Sequence, residues 1–201
     1  MVSSRQRRGE ALNQLVIAGT RYAQVAGRAG LTFAAPPSIE AFEVVEHVPG
    51  TATTDFGAPS IPLTSDQEPL EEADIDRFIA LLTTCWTTFD DALNSFSADQ
   101  HDIKPERGRS PDAMRLHLLE ADRMHLSAFG PAFRQPDPTR VTEQEAEVRE
   151  QIITALRVVP RGEDIAPRRR YGFSLIPRFA VRRSAWHALD HAWELQDRSG
   201  R

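Results

Sequence analysis

With 201 residues, 40% of them hydrophobic and 26% charged, the chain has the composition of a globular protein that buries a real core, as one domain or one plus a small appendage. Its formal net charge of -5 argues against nonspecific nucleic-acid binding, so no nucleic-acid partner is expected. One cysteine, Cys85, excludes an intramolecular disulfide and a thiolate metal cage, so any metal chemistry must rest on His, Asp and Glu.

From the N-terminus onward, no stretch approaches the roughly 18 apolar residues that a bilayer span requires. Residues 11–29 are interrupted by Asn13, Gln14, Arg21 and Gln24, which is no signal-peptide core. The expectation is a cytoplasmic protein with no membrane partner. Proline inside a helix costs about 3 kcal/mol, so prolines punctuate a helical chain. They leave five long windows free: residues 1–35, 70–104, 112–130, 139–159 and 178–201.

The first window sets Leu12, Leu15, Val16, Gly19, Tyr22, Ala23 and Ala26 on one stripe, an amphipathic helix ending at Gly27 or Gly30. Next, Phe42-Glu43-Val44-Val45-Glu46-His47-Val48 is rich in β-branched residues and predicts one short strand. Residues 51–69, rich in Thr, Ser, Gly and Pro, read as an extended connection. The second window has Ile75, Phe78, Ile79, Leu82, Trp86, Phe89 and Leu93 at helical spacing, with Glu71, Glu72 and Asp74 where the helix dipole favours them. The third opens with Ser110 as N-cap and Pro111 at the first helical position, then runs through Met114, His117, Leu118, Ala121, Met124 and Leu126. The fourth carries Val148, Ile152, Ala155 and Leu156 on one stripe. The fifth is apolar over most of its circumference, which implies a helix in contact on several sides. The basic stretch between them, with Arg168, Arg169 and Arg170, reads as a solvated loop; anion binding there is the minority reading.

The chemical signal is His187-Ala188-Leu189-Asp190-His191. Spacing i, i+4 puts both imidazoles on one helix face, in reach of one ion. Ala188 stands where the helical metalloprotease motif needs a glutamate base, so that chemistry is excluded. Core or surface histidines without a metal remain the other reading of the pair. A third ligand must come from a facing helix, where His117, flanked by apolar residues, and His125, two turns on, both qualify. Three histidines with an open fourth position are an arrangement that activates a water or a thiol. Asp190 or Glu194 is placed to orient an imidazole, although surface pairing with Arg183 is the commoner role; Glu120 is a weaker candidate for the same support. Trp186 and Trp193 read as packing residues and Cys85 as a buried, inert thiol. Tyr171-Gly172-Phe173 is a minor candidate for a loop covering the site. His47 and His101 have no partner at a useful spacing.

The run from Arg182 to Arg198, Arg-Arg-Ser-Ala-Trp-His-Ala-Leu-Asp-His-Ala-Trp-Glu-Leu-Gln-Asp-Arg, closely resembles the last helix of DinB-like proteins, in a branch common in actinobacteria. Leu116-His117-Leu118-Leu119-Glu120-Ala121-Asp122 resembles that branch's second bundle helix, and Phe42-Glu43-Val44-Val45-Glu46 with Ala52-Thr53-Thr54-Asp55-Phe56-Gly57-Ala58-Pro59 resembles its segment before the bundle. Departures are the glycine-poorer Lys104-Pro105-Glu106-Arg107-Gly108-Arg109-Ser110 and Gln196 where a glutamate is usual. In longer relatives a HicB-like strand segment precedes a helix; the N-terminal helix here resembles that helix alone, a truncated version of the region.

The resemblance implies a mainly α fold: an up-down four-helix bundle over residues 70–201, preceded over residues 1–69 by an N-terminal helix, a short strand and an extended connection. Such proteins hold one metal through a histidine of the second helix and an H-x-x-x-H pair of the fourth. By position these are His117, His187 and His191. The resemblance further implies a divalent ion, zinc or nickel, and a thiol-dependent S-transferase that uses mycothiol as co-substrate against an electrophile. Such bundles often pair as homodimers. The competing expectation is a non-catalytic helical binding or stress module with a structural metal or none.

Overall fold

The computed structural model describes residues 4–55, 57–129, 131, 133–159, 168–170 and 173–200. The chain is mainly helical. Among the described residues there are six α-helices: α1 (Ser4–Arg28), α2 (Ala52–Asp55), α3 (Glu72–Leu93), α4 (Pro111–Leu126), α5 (Val141–Val158) and α6 (Pro177–Ser199). Two three-residue strands, β1 (Arg168–Arg170) and β2 (Phe173–Leu175), pair antiparallel with Arg169 opposite Ser174.

Two compact units divide the chain at His47 and Val48. In the first, α1 buries Val25 and Ala26. Gly19 lies on the same helix so close to Pro36 that a Cβ would fall 2.7 Å from the proline Cδ, so only glycine fits there. The strand expected over residues 42–48 does not form: the backbone there is irregular, and Val45 is 85% exposed. β-Branched composition favours a strand only when a partner ladder and a buried face are supplied, and neither is present at this segment.

The second unit begins with residues 48–69, grouped with the N-terminal region in the sequence reading. The expected extended connection is interrupted by two short helical pieces. Thr51 and Thr54 exchange side-chain and backbone hydrogen bonds around the start of α2. Asp66 accepts from the Leu63 backbone N–H at 2.7 Å around the 3₁₀ turn Thr64–Gln67.

The four long helices α3, α4, α5 and α6 match the proline-free windows within a residue or two at their starts. Ser110 caps α4 as expected, its Oγ accepting from the Ala113 N–H at 3.3 Å with Pro111 in the first turn. Gly200, left-handed at φ 73°, closes α6 by donating its N–H to the Gln196 carbonyl. Helix α3 packs on α6 and α5, and α4 packs on α5 and α6. The core between them holds Leu82, Phe89, Met114, Leu118, Leu119, Leu156, Phe179 and Leu195, each 1% exposed or less. Ala188 and Ala192, both fully buried on α6, keep that face shallow.

Polar ties join the same helices. Arg149 of α5 forms a bidentate pair with Asp90 of α3 at 2.6 and 2.9 Å, and Arg115 of α4 donates to Glu145 of α5 at 2.7 Å. Arg178, in the first turn of α6, donates to the carbonyls of Glu68 and Pro69 and to Asp74 at 2.6 Å. Arg182, one turn on, pairs with the buried Asp66.

Candidate metal centre

Consecutive turns of α6 present His187 and His191 on one face, and α4 brings His117 across to meet them. The ring centroids lie 4.9 Å apart for His117 and His187, 5.5 Å for His117 and His191, and 4.7 Å for His187 and His191. One ring nitrogen from each falls within 4.8 Å of the other two. The closest approach is Nε2 to Nε2 of His187 and His117, at 3.2 Å. Metal–imidazole bonds of about 2.0–2.1 Å at tetrahedral angles place two donor nitrogens about 3.3 Å apart, so that pair already stands at ligand spacing.

The local sequence explains why the rings meet. His117 shares a face of α4 with Met114 and Ala121, both buried, so it is carried on the inward side of the helix. His187 and His191 bracket Ala188 and Leu189, which pack inward on α6. The Trp186 indole stacks nearly parallel to the His187 ring, 11° between planes and 5.9 Å between centroids, and restrains that imidazole.

Burial dominates the electrostatics. It pushes His117 down to about 4, with the charges of Arg109 and His191 adding to the effect. It pushes His187 down to about 2, helped by the neighbouring His191, His117, His125 and Arg183. His191 is lowered by the same burial, opposed by its contact with Glu194. All three imidazoles are therefore neutral near pH 7, the state in which a ring nitrogen has a lone pair for a cation.

Glu194 takes the orienting role that the sequence divided between Asp190 and Glu194. Its Oε2 lies 3.3 Å from His191 Nδ1, while Oε1 pairs with Arg198. The contact assigns the His191 proton to Nδ1 and leaves Nε2 as the free lone pair. That Nε2 is buried and has no hydrogen-bond partner among the described residues. Arg198 also donates to the Arg109 carbonyl at 2.7 Å. Gly108 lies beneath it at φ 93°, where a Cβ would stand 2.6 Å from Arg198 Nη2 and 3.0 Å from Glu194 Oε1. The loop before α4 is thus fastened to the α6 turn that carries His191.

The remaining sequence candidates lie elsewhere. His125 is 2% exposed but outside the three-histidine cluster, with Nδ1 3.9 Å from Asp122. Glu120 is engaged by Gln135 at 2.6 Å. Cys85 is fully buried and its thiol is pushed up to about 12 by that burial, so it is inert. His101 does have a partner, Asp112 at 2.8 Å beside the start of α4. Arg168, Arg169 and Arg170 lie on β1 rather than in a loop; Tyr171 and Gly172 lie outside the described residues. Sequence reasoning missed Asp122, which accepts from Trp86 Nε1 at 2.9 Å and from the Ser184 hydroxyl in the core beside the site.

No protein-family model, curated protein or solved structure matches the chain.

Proposed function

We propose that this chain is a divalent-metal-binding protein of the DinB-like kind, with His117, His187 and His191 as protein ligands and a further position for a substrate thiol. The observation that carries the reading is the buried, unpartnered Nε2 of His191 beside two other neutral imidazoles. A lone pair left unsatisfied in the interior is costly, and a cation shared with His117 and His187 satisfies it. The donor set of three imidazoles suits zinc or nickel. The packing of α3, α5, α4 and α6 on one another supports an up-down four-helix bundle, and the residues of α4 and α6 that resemble the family are the ones that converge.

When bound, a divalent cation supplies Lewis acidity that lowers the pKa of a coordinated thiol or water. The chain's own residues do the rest. Glu194 holds the His191 ring and its Nδ1 proton; Trp186 restrains His187; α4 sets His117 against both. Cys85, buried with a raised pKa, supplies no nucleophile, so the sulfur of an S-transfer comes from a small-molecule thiol, with mycothiol the candidate, and passes to an electrophile.

One observation favours a second reading. The 3.2 Å contact between His187 and His117 is also the length of a hydrogen bond between one ring N–H and the other ring nitrogen. A non-catalytic helical module would need no more than that. Metal analysis by mass spectrometry separates the two. Near-stoichiometric zinc or nickel that disappears in His187→Ala and His191→Ala supports the metal centre. Metal-free protein whose melting is unchanged by chelator supports the module.

A further inference from the structure

We propose that Arg198 and Gly108 are positioning residues of the metal centre, setting its affinity for the ion through Glu194 and the His191 ring. The inference rests on the metal-centre reading above and deepens it: the grip on the ion is set from outside the three ligands. Three observations carry it.

The first is a continuous line of contacts. His191, Glu194 and Arg198 follow one another along one face of α6, about one turn apart. His191 Nδ1 lies 3.3 Å from Glu194 Oε2, Glu194 Oε1 accepts from Arg198 Nη2, and Arg198 Nη1 donates to the Arg109 carbonyl at 2.7 Å. Two nitrogens of the planar guanidinium thus serve two different partners, which fixes the plane of the fork and with it the carboxylate. The line ends on the residue before the Ser110 cap of α4, the helix that carries His117. It therefore joins the two helices that supply the ligands.

The second is that Glu194 needs this hold. Its side chain is 37% exposed, and a long carboxylate at a helix surface has many solvated rotamers open to it. The rotamer in which Oε2 faces His191 keeps the ring proton on Nδ1 and the Nε2 lone pair free for a cation. Arg198 takes the other oxygen and selects that rotamer.

The third is the fit of Gly108. Its backbone is left-handed at φ 93°, and a Cβ there would stand 2.6 Å from Arg198 Nη2 and 3.0 Å from Glu194 Oε1. These are the two atoms of the ion pair. A side chain at this position would enter the pair itself, and both partners, as the far ends of flexible side chains, would give way. Glycine leaves the carboxylate where His191 can use it.

The test measures the affinity of the full chain for zinc and for nickel by competition with a chromophoric chelator, and the His191 tautomer of the metal-free chain by imidazole nitrogen NMR. Arg198→Gln and Gly108→Ala should each weaken metal binding roughly tenfold, the scale of losing one support to a ligand imidazole. Arg198→Lys, which keeps the charge, should recover part of the loss. Glu194→Gln should weaken binding at least as much, and adding either substitution to it should cost little more, because all act through the same carboxylate. In the metal-free chain the His191 proton should sit on Nδ1 in wild type and spread to Nε2 in both variants. Gly108→Ala leaves every charge and both helices in place, so its result stands where Arg198→Gln loosens the end of α6. Affinity unchanged in both variants overturns the inference, as does a wild-type His191 protonated at Nε2. A loss that adds in full to that of Glu194→Gln also overturns it, being the mark of a merely structural effect. A wild-type chain that takes up neither ion overturns the metal-centre reading itself.

Discussion

Asp122 is 2% exposed and serves two donors from different helices, the Trp86 indole N–H of α3 and the Ser184 hydroxyl of α6. One carboxylate therefore joins three helices one turn away from His125. Asp122→Ala strands both donors in the interior and should cost about 3 kcal/mol in urea unfolding, with the indole environment altered in fluorescence. Asp122→Asn retains an acceptor and should lose less than half as much. At this scale the sequence is uneven as a guide. His187 and His191 announce themselves because four-residue spacing has a geometric meaning on a helix. His117 needed the apolar flanks of α4 to distinguish it from His125, and the family resemblance to select it. Asp122 and Trp86 are 36 residues apart, and Asp122 and Ser184 are 62 apart. No periodicity links such residues, so only the folded chain reveals the contact. The attachment of the loop before α4 was hidden for the same reason: Arg198 and the Arg109 carbonyl it holds are 89 residues apart.

Among the elements, the start of α6 is clasped to the start of α3. Burial by itself raises the Asp74 carboxyl. The Arg178 hydrogen bond, the Glu71 backbone N–H and the charges of Arg178 and Arg77 outweigh it and hold Asp74 below its ordinary value. A carboxylate whose folded pKa is depressed stabilises the fold above its unfolded value and loses that contribution as the pH falls through the folded one. Arg178→Gln should therefore cost about 1–2 kcal/mol at neutral pH. The gap between mutant and wild type should close as denaturant midpoints are tracked from pH 5 downward, below the ordinary carboxylate value of 3.8. A gap that stays constant with pH would show that Arg178 acts through the Glu68 and Pro69 carbonyls alone. Element boundaries were legible where the chain punctuates itself, as at Ser110-Pro111 and at Gly200. The β-branched run 42–48 was not, because strand formation depends on a partner that composition does not disclose. The antiparallel pair at 168–175 was missed for the complementary reason: three residues per strand are too few to show an alternation.

The whole chain divides into two units, and every residue of the candidate metal centre, with Glu194 and Arg198, lies in the second. A fragment of residues 48–201 should therefore fold with the helical signal expected of α3 to α6 and take up metal with the stoichiometry of the full chain. Calorimetry and metal analysis on the fragment check both; a fragment that binds no metal while the full chain does would show that the first unit contributes to the site. No helix among the described residues is long and apolar enough to cross a membrane. The division of the ligands between helices has an effect on assembly. His187 and His191 become a chelating pair as soon as α6 winds, whereas His117 joins them only when α4 docks. In the proposed metal centre an ion would thus meet a two-nitrogen grip before tertiary structure exists and a three-nitrogen grip afterwards. Affinity for the undocked chain would make it stabilise the native state by less than its native affinity alone implies. The same early grip would favour winding of α6 ahead of the rest of the protein.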